Sequence, residues 1–255
     1  MSELYVRSVG LWSPGYANAP AWCTGDVDAA VEAPAANFLR GPLRRRATAQ
    51  TRAAVEVLGQ VVAEAGWDSS KIATIWGTAH GEHATSIAMF EWMARGEGRL
   101  SPTQFHNSVH NTAGGYASIS QKNTTTSTTL TGAGELVVSG FVEALGLLRA
   151  GCEHVALVFF DEPLKVPFSV PGMDATLALG FGLTSQAEGS VAKLGVLQRE
   201  SWKGVRPAVH FSGMHVAAAL PLLEHVVSGR AGDVALQLET EASPVWQARI
   251  EPVNP

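Results

Sequence analysis

Residues 155–160 (VALVFF) carry no polar side chain. A strand of that kind has two faces to hide, so it demands a sheet covered on both sides rather than one face open to water. Residues 72–77 (IATIWG) form a second short run of the same type, and Leu4–Trp12 (LYVRSVGLW) is a third strand that stops at Ser13-Pro14-Gly15. Between these runs the period changes. Residues 48–65 (TAQTRAAVEVLGQVVAEA) place apolar side chains at helical spacing and end at Gly66, where a helix C-terminal cap belongs. Residues 85–94 read as a second helix, and 135–149 as a strongly apolar third one closed by Ala150-Gly151. Strands alternating with helices imply an α/β fold.

The intervening segments are less regular. Residues 13–42 read as a loop with one short helix. After the polar entry Ser101-Pro102-Thr103, residues 111–119 (NTAGGYASI) carry small side chains that let backbones approach closely. The Thr-rich stretch 123–131 reads as a buried strand, since β-branched residues suit a sheet. Beyond residue 161 the pattern offers a strand near 175–183, a helix at 215–227, and a closing strand pair at 234–238 and 245–250.

Composition excludes some functions. With 46% hydrophobic residues in 255, the chain can bury a large core. A formal charge of −5 leaves no electrostatic footprint for nucleic acid. The one basic cluster, Arg44-Arg45-Arg46, reads as a solvated helix start. Cys23 and Cys152 have no metal-ligand spacing and imply no disulfide scaffold, which points to a reducing cytoplasm. No signal peptide and no membrane span are expected.

The order of segments resembles the N-terminal half of the β-ketoacyl synthases, of the thiolase-like fold. VRSVGLWSPG looks like the family's opening strand and turn, and PLRRRATAQTRAAVEVLGQVVAEAGWD like its first long helix. IATIWGTAHG is similar to the strand that ends in Gly-Thr-x-x-Gly. SPTQFHNSVHNTAGGYASIS resembles the segment that crosses the dimer interface, with Asn111 in the family's place. LLRAGCEHVALVFF looks like the end of the nucleophile helix and the strand behind it. The resemblance runs from about residue 4 to about 165 and is strongest to the short chain length factor subunits of aryl polyene and type II polyketide ketosynthases. It implies residues 1–165 as a ketosynthase-like half and 166–255 as a shortened C-terminal remainder packed on the same core.

The same resemblance exposes missing chemistry. A condensing enzyme needs a cysteine thiolate on the turn between a strand and the next helix, with oxyanion donors and two histidines. Counting back from Arg149-Ala150-Gly151 puts the nucleophile position at Gly134, and residues 130–138 (LTGAGELVV) hold neither Cys nor Ser. Thr131 is the only hydroxyl there. Cys152 lies about five helical turns further on, at ~1.5 Å per residue, and reads as structural. Cys23 has no acting counterpart. Gly213-Met214-His215 is loosely similar to the family's Gly-His segment, but one residue intervenes.

Other constellations are weaker. Ser108 and His110 lack an orienting carboxylate and a Gly-x-Ser-x-Gly elbow. His80, Glu82 and His83 lack further metal ligands, and Gly77-Thr78-Ala79-His80-Gly81 is no phosphate loop. Glu135 reads as a helix-dipole partner. The expected function is therefore a non-catalytic chain length factor, without cofactor, that pairs with an active β-ketoacyl synthase and meets an acyl carrier protein. Phe105, His106, Ser108, Val109, His110, Asn111 and Thr112 are expected to line its tunnel and interface. The alternatives are an acyltransferase or thioesterase using Ser108 or Thr131 with a His, and a homodimeric acyl-binding scaffold.

Overall fold

A computed structural model of the chain describes residues 3–96, 98–99, 101–202, 211–238 and 244–253. The elements run β1 (Leu4–Trp12), α1 (Ala19–Thr24), α2 (Gly41–Arg46), α3 (Ala49–Ala65), β2 (Ala73–Thr78), α4 (His83–Arg95), α5 (Pro102–His106) and α6 (Thr112–Gln121). They continue β3 (Ser127–Thr131), α7 (Leu136–Arg149), β4 (His154–Asp161), β5 (Leu177–Thr184), β6 (Ala192–Leu194) and β7 (Gln198–Glu200). A 3-10 turn (His215–Ala219), α8 (Leu220–Ser228), β8 (Gly232–Ala235) and β9 (Val245–Pro252) complete the described chain.

The nine strands of the described residues join one mixed sheet. β3, β2 and β4 are parallel, β5 is antiparallel to both β4 and β1, and β6 links β1 to β9. β6 and β7 pair with the two ends of β9, and β8 pairs with its middle from the opposite side. Among the described residues, β3 ends the sheet on one side, and β7 and β8 each pair with β9 alone. Strands from both sides of residue 165 share the sheet.

The apolar strands are sandwiched, as their sequence demands. On β4, Val155, Leu157 and Phe159 face a core with α7, the 3-10 turn and α8, while Ala156, Val158 and Phe160 face a core with α3 and α6. Small residues decide how close α3 comes. β1 pairs Ser8 with Gly182 and Gly10 with Gly180, so small residues meet on the α3 face. A Cβ at Gly180 would stand 2.9 Å from Val57 Cγ1, and one at Gly10 would stand 3.0 Å from the Val57 carbonyl. The Ser8 hydroxyl donates to the Val61 carbonyl at 2.8 Å and closes that contact. Thr48 caps α3, accepting from the Thr51 amide, and Gly66 ends it in the left-handed conformation that favours glycine.

Three expectations need correction. The Thr-rich stretch yields only β3, and this strand is a partly exposed edge rather than a buried one. The helix expected at 215–227 opens as a 3-10 turn, because Pro221 has no amide hydrogen to donate to Ala217; regular α-helix starts at Leu220. Arg44, Arg45 and Arg46 form the last turn of α2, where cations suit the carbonyl end of the dipole, not the start of a helix.

Candidate functional site

Parallel sheets bring their functional loops together at the carboxyl ends of the strands. Here β3, β2 and β4 end at Thr131, Thr78 and Asp161. The register places Thr78 opposite Thr131 and Gly77 opposite Phe159, so the three following loops start side by side.

The first of these loops is the turn between β3 and α7. Gly134 lies in it, immediately before Glu135, the N-cap residue of α7. A Cβ at Gly134 would meet no atom within 4 Å, so the position has space but no functional group. α7 can sit low on the sheet because Gly140 faces the Phe159 ring, where a Cβ would come within 2.7 Å. The Glu135 side chain makes no cap hydrogen bond. Its carboxylate instead accepts from Trp246 Nε1 at 3.2 Å and lies 3.8 Å from Arg199, tying the turn to β9 and β7. Glu135 thus stands at the N-terminus of α7, where a carboxylate suits the helix dipole, and also tethers the turn. Thr131 stands exposed at the end of β3.

The second loop is held by a buried carboxylate. Asp161 is fully inaccessible and accepts from the Thr78 hydroxyl at 2.7 Å, the Ala79 amide at 2.9 Å and the His80 amide at 3.2 Å. Burial pushes its carboxyl above the usual range, and these donors oppose the shift. The Gly81 amide donates to the Thr78 hydroxyl at 2.9 Å, and Gly81 takes a left-handed backbone that packs against His110. Glu82 is nearly inaccessible and accepts from the hydroxyls of Thr48 and Thr51 at 2.8 and 2.6 Å. That carboxylate is bound at the start of α3. The His80 ring lies 6.4 Å from that of His83 and 6.3 Å from that of His215. Among the described residues no three potential ligands converge on one metal position. Burial, with the nearby His80, holds the His83 imidazole below its ordinary pKa.

Glu162 opens the third loop. Burial raises its carboxyl to about 7, the charges of Glu82 and Asp161 push the same way, and Lys165 opposes them. A carboxyl whose folded pKa lies above its unfolded value keeps a proton in the native state. Stability therefore falls as pH rises from the unfolded pKa near 4.5 to about 7, and the cost is complete above that. We expect Glu162→Gln to raise stability at pH 8 by about 1–2 kcal/mol more than at pH 4.5. That is roughly half the full linkage value, because the group is partly solvated. Urea unfolding at the two pH values checks this; an equal effect at both would contradict it.

The segment expected to line the tunnel surrounds this end of the sheet. Phe105, His106, Val109, His110 and Asn111 are exposed, Ser108 is half-buried, and Thr112 is buried with its hydroxyl donating to the Val109 carbonyl at 2.8 Å. Ser108 spends its proton on the Phe105 carbonyl at 2.8 Å, and the His106 ring is stacked on Tyr116 at 5.3 Å. No imidazole hydrogen bond to Ser108 or Thr131 occurs among the described residues, so no Ser–His or Thr–His pair is assembled. The His215 ring lies beside that of His80. Cys152 is half-buried against the core, and Cys23 lies exposed on α1.

Sequence reasoning missed the residue that pins this segment. Asn107 is buried; its amide donates to the Arg46 carbonyl at 2.7 Å, and its oxygen accepts from the Tyr116 hydroxyl at 2.6 Å. Asn107→Ala leaves the buried Tyr116 hydroxyl and the part-buried Arg46 carbonyl unpaired and should cost about 2 kcal/mol in chemical denaturation. Faster amide exchange across 105–112 should accompany the loss. Asp161 and Glu162 were also missed, although a carboxylate pair directly after a six-residue apolar run was a signal.

A family model for the N-terminal domain of β-ketoacyl synthases matches residues 19–247. No curated protein matches the chain in sequence. Among solved structures, the complex of the ketosynthase ApeO with its chain length factor ApeC from Xenorhabdus doucetiae matches with a TM-score of 0.70 at 19% identity, covering 98% of this chain and 99% of that one. The ishigamide ketosynthase/chain length factor matches with a TM-score of 0.73 at 11% identity, over 99% and 100% of the two chains. A β-ketoacyl synthase from Burkholderia phymatum STM815 matches with 0.59 at 12% identity, over 88% of this chain and 70% of that one. These likenesses establish a thiolase-like α/β fold. No described helix is long and apolar enough to cross a membrane.

Proposed function

Because the chain belongs to the β-ketoacyl synthase family, we propose that it acts as a chain length factor, a ketosynthase-like subunit that contributes no nucleophile and pairs with an active ketosynthase. The observation that carries this reading is the β3–α7 turn. It has the strand-to-helix geometry the family's nucleophile needs, and residues 130–138 (LTGAGELVV) offer neither Cys nor Ser. Gly134 there is open space.

The exposed surface favours a partner. Phe90 and Phe105 are 65% and 62% accessible, Ile119 is 63% accessible, and β3 leaves one edge unpaired. A sheet edge beside apolar side chains is a liability unless another chain covers it. In this reading the active ketosynthase covers them and supplies the cysteine and both histidines. A carrier protein brings the growing chain, and the shared interface shapes the tunnel of a polyene or polyketide pathway. In this reading residues 1–165 form the ketosynthase-like half and 166–255 a C-terminal part that shares its sheet. Two unpaired cysteines fit a reducing cytoplasm.

Close-packed walls stop a growing acyl chain by overlap. We assign that wall to the 105–112 segment, with Phe105, His106, Val109 and His110 as its bulk. The double variant Phe105→Ala, Val109→Ala should therefore lengthen the product by one or more extender units, read by mass spectrometry of carrier-bound intermediates. Unchanged product length at normal turnover would place the wall elsewhere. An acyltransferase or thioesterase using Ser108 fits less well, because that hydroxyl already donates to the Phe105 carbonyl.

A further inference from the structure

The 105–112 segment is held in place with little apolar burial. α5 contributes no buried residue, and within 105–112 the buried residues are Asn107 and Thr112, both polar. α4 beside it buries Met89 alone. The Thr112 hydroxyl bonds within the segment, to the His106 and Val109 carbonyls. Hydrophobic burial therefore does little to fix Phe105, His106, Val109 and His110, and the task falls to polar contacts with neighbouring elements.

Those contacts close a ring. Asn107 Nδ2 donates to the Arg46 carbonyl at 2.7 Å, two residues before Thr48, the N-cap of α3. The hydroxyls of Thr48 and Thr51 donate to Glu82 Oε1 at 2.8 and 2.6 Å. One turn along α4, the Ser86 hydroxyl is shared between the Glu82 carbonyl at 3.2 Å and the Ser108 carbonyl at 3.3 Å. That last bond returns to the segment where the ring began. Glu82 is bonded on both sides, through its carboxylate to α3 and through its carbonyl to α4. At 3% exposure it has almost no water to replace these partners.

We propose that Glu82 is a positioning residue for the wall: by tying the start of α3 to α4 it sets how far the 105–112 segment stands into the tunnel, and so the length at which elongation stops. The length-setting role rests on the chain length factor reading; the ring of hydrogen bonds does not. Glu82 acts through the segment and not on the acyl chain. Cutting a strut of this kind loosens what it braces, because lost hydrogen bonds open the adjoining backbone first.

Hydrogen exchange on the full chain tests the ring, and the lengths of carrier-bound products made with the ketosynthase test its consequence. In Glu82→Ala the amides of 105–112 should exchange about tenfold faster. Glu82→Gln keeps an acceptor for both hydroxyls and should stay within about twofold of the wild type. Ser86→Ala cuts the ring on the other side at a helix position that favours alanine, and should speed exchange there about threefold. It keeps the test open if Glu82→Ala does not fold. Products should spread to longer chains in the two alanine variants and return to the wild-type length in Glu82→Gln. Unchanged exchange across 105–112 in Ser86→Ala, or a glutamine variant as loose as the alanine one, would overturn the ring. Loosening with glutamine rescue but unaltered product length would overturn the length-setting role, and with it the assignment of the wall.

Discussion

Asp161→Ala should cost about 3–4 kcal/mol of unfolding free energy, the largest effect of any single polar truncation in this chain. The reason is the number of groups it orphans. The Thr78 hydroxyl and the amides of Ala79 and His80 all donate to this carboxylate, and Asp161 itself is inaccessible to water. The Thr78 hydroxyl is buried with the carboxylate and has no access to water. Part of the deficit should return in Asp161→Asn, which keeps one acceptor. Denaturant unfolding with an unchanged m-value measures it, and a loss below about 1 kcal/mol would mean that water replaces the carboxylate.

Ile119→Arg should have the second large effect, on association rather than folding. The side chain is 63% exposed on α6, which packs beside β2 and the free edge strand β3. An exposed position tolerates arginine, so unfolding of the isolated chain should change by less than about 0.5 kcal/mol. Buried in an apolar interface with a ketosynthase, the same guanidinium would be an unpaired charge. Affinity for the ketosynthase should drop by at least about a hundredfold, on the order of 3 kcal/mol. Biolayer interferometry on the purified pair reads this directly. Undiminished binding would move the interface off this face.

How far the sequence was legible depended on whether a residue's partners were near in the chain. α3 was readable to its ends, because Thr48 and Gly66 are local signals that its backbone obeys. The fully apolar β4 announced a sheet covered on both faces, and the small residues of 111–119 announced close packing. Gly114 indeed lies where a Cβ would stand 2.8 Å from Trp76 Nε1. β3 was misjudged because threonine satisfies a strand equally well in a core or at an edge, and only the pairing decides. β6 and β7 have three residues each, too few to show a period.

The site was harder to read for the same reason. Gly134 could be placed from the order of segments, since the turn is local to β3 and α7. Asp161 could not be, because its hydrogen-bonding partners lie 81 to 83 residues away in sequence. Asn107 reaches 61 residues back to Arg46, so nothing around it marks its role. That Glu135 also accepts from Trp246 could not be read, because the two lie 111 residues apart. The His80–His215 proximity likewise depends on the 3-10 turn folding back over the sheet end.

The most direct test of the chain length factor reading is co-expression with a full-length ketosynthase and its acyl carrier protein. Native mass measurement of the purified complex would follow, then exposure to a labelled acyl thioester. The account predicts a stable one-to-one complex with label on the ketosynthase cysteine alone. A homodimer of this chain that takes up the label itself would contradict it and return attention to Ser108 and Thr131.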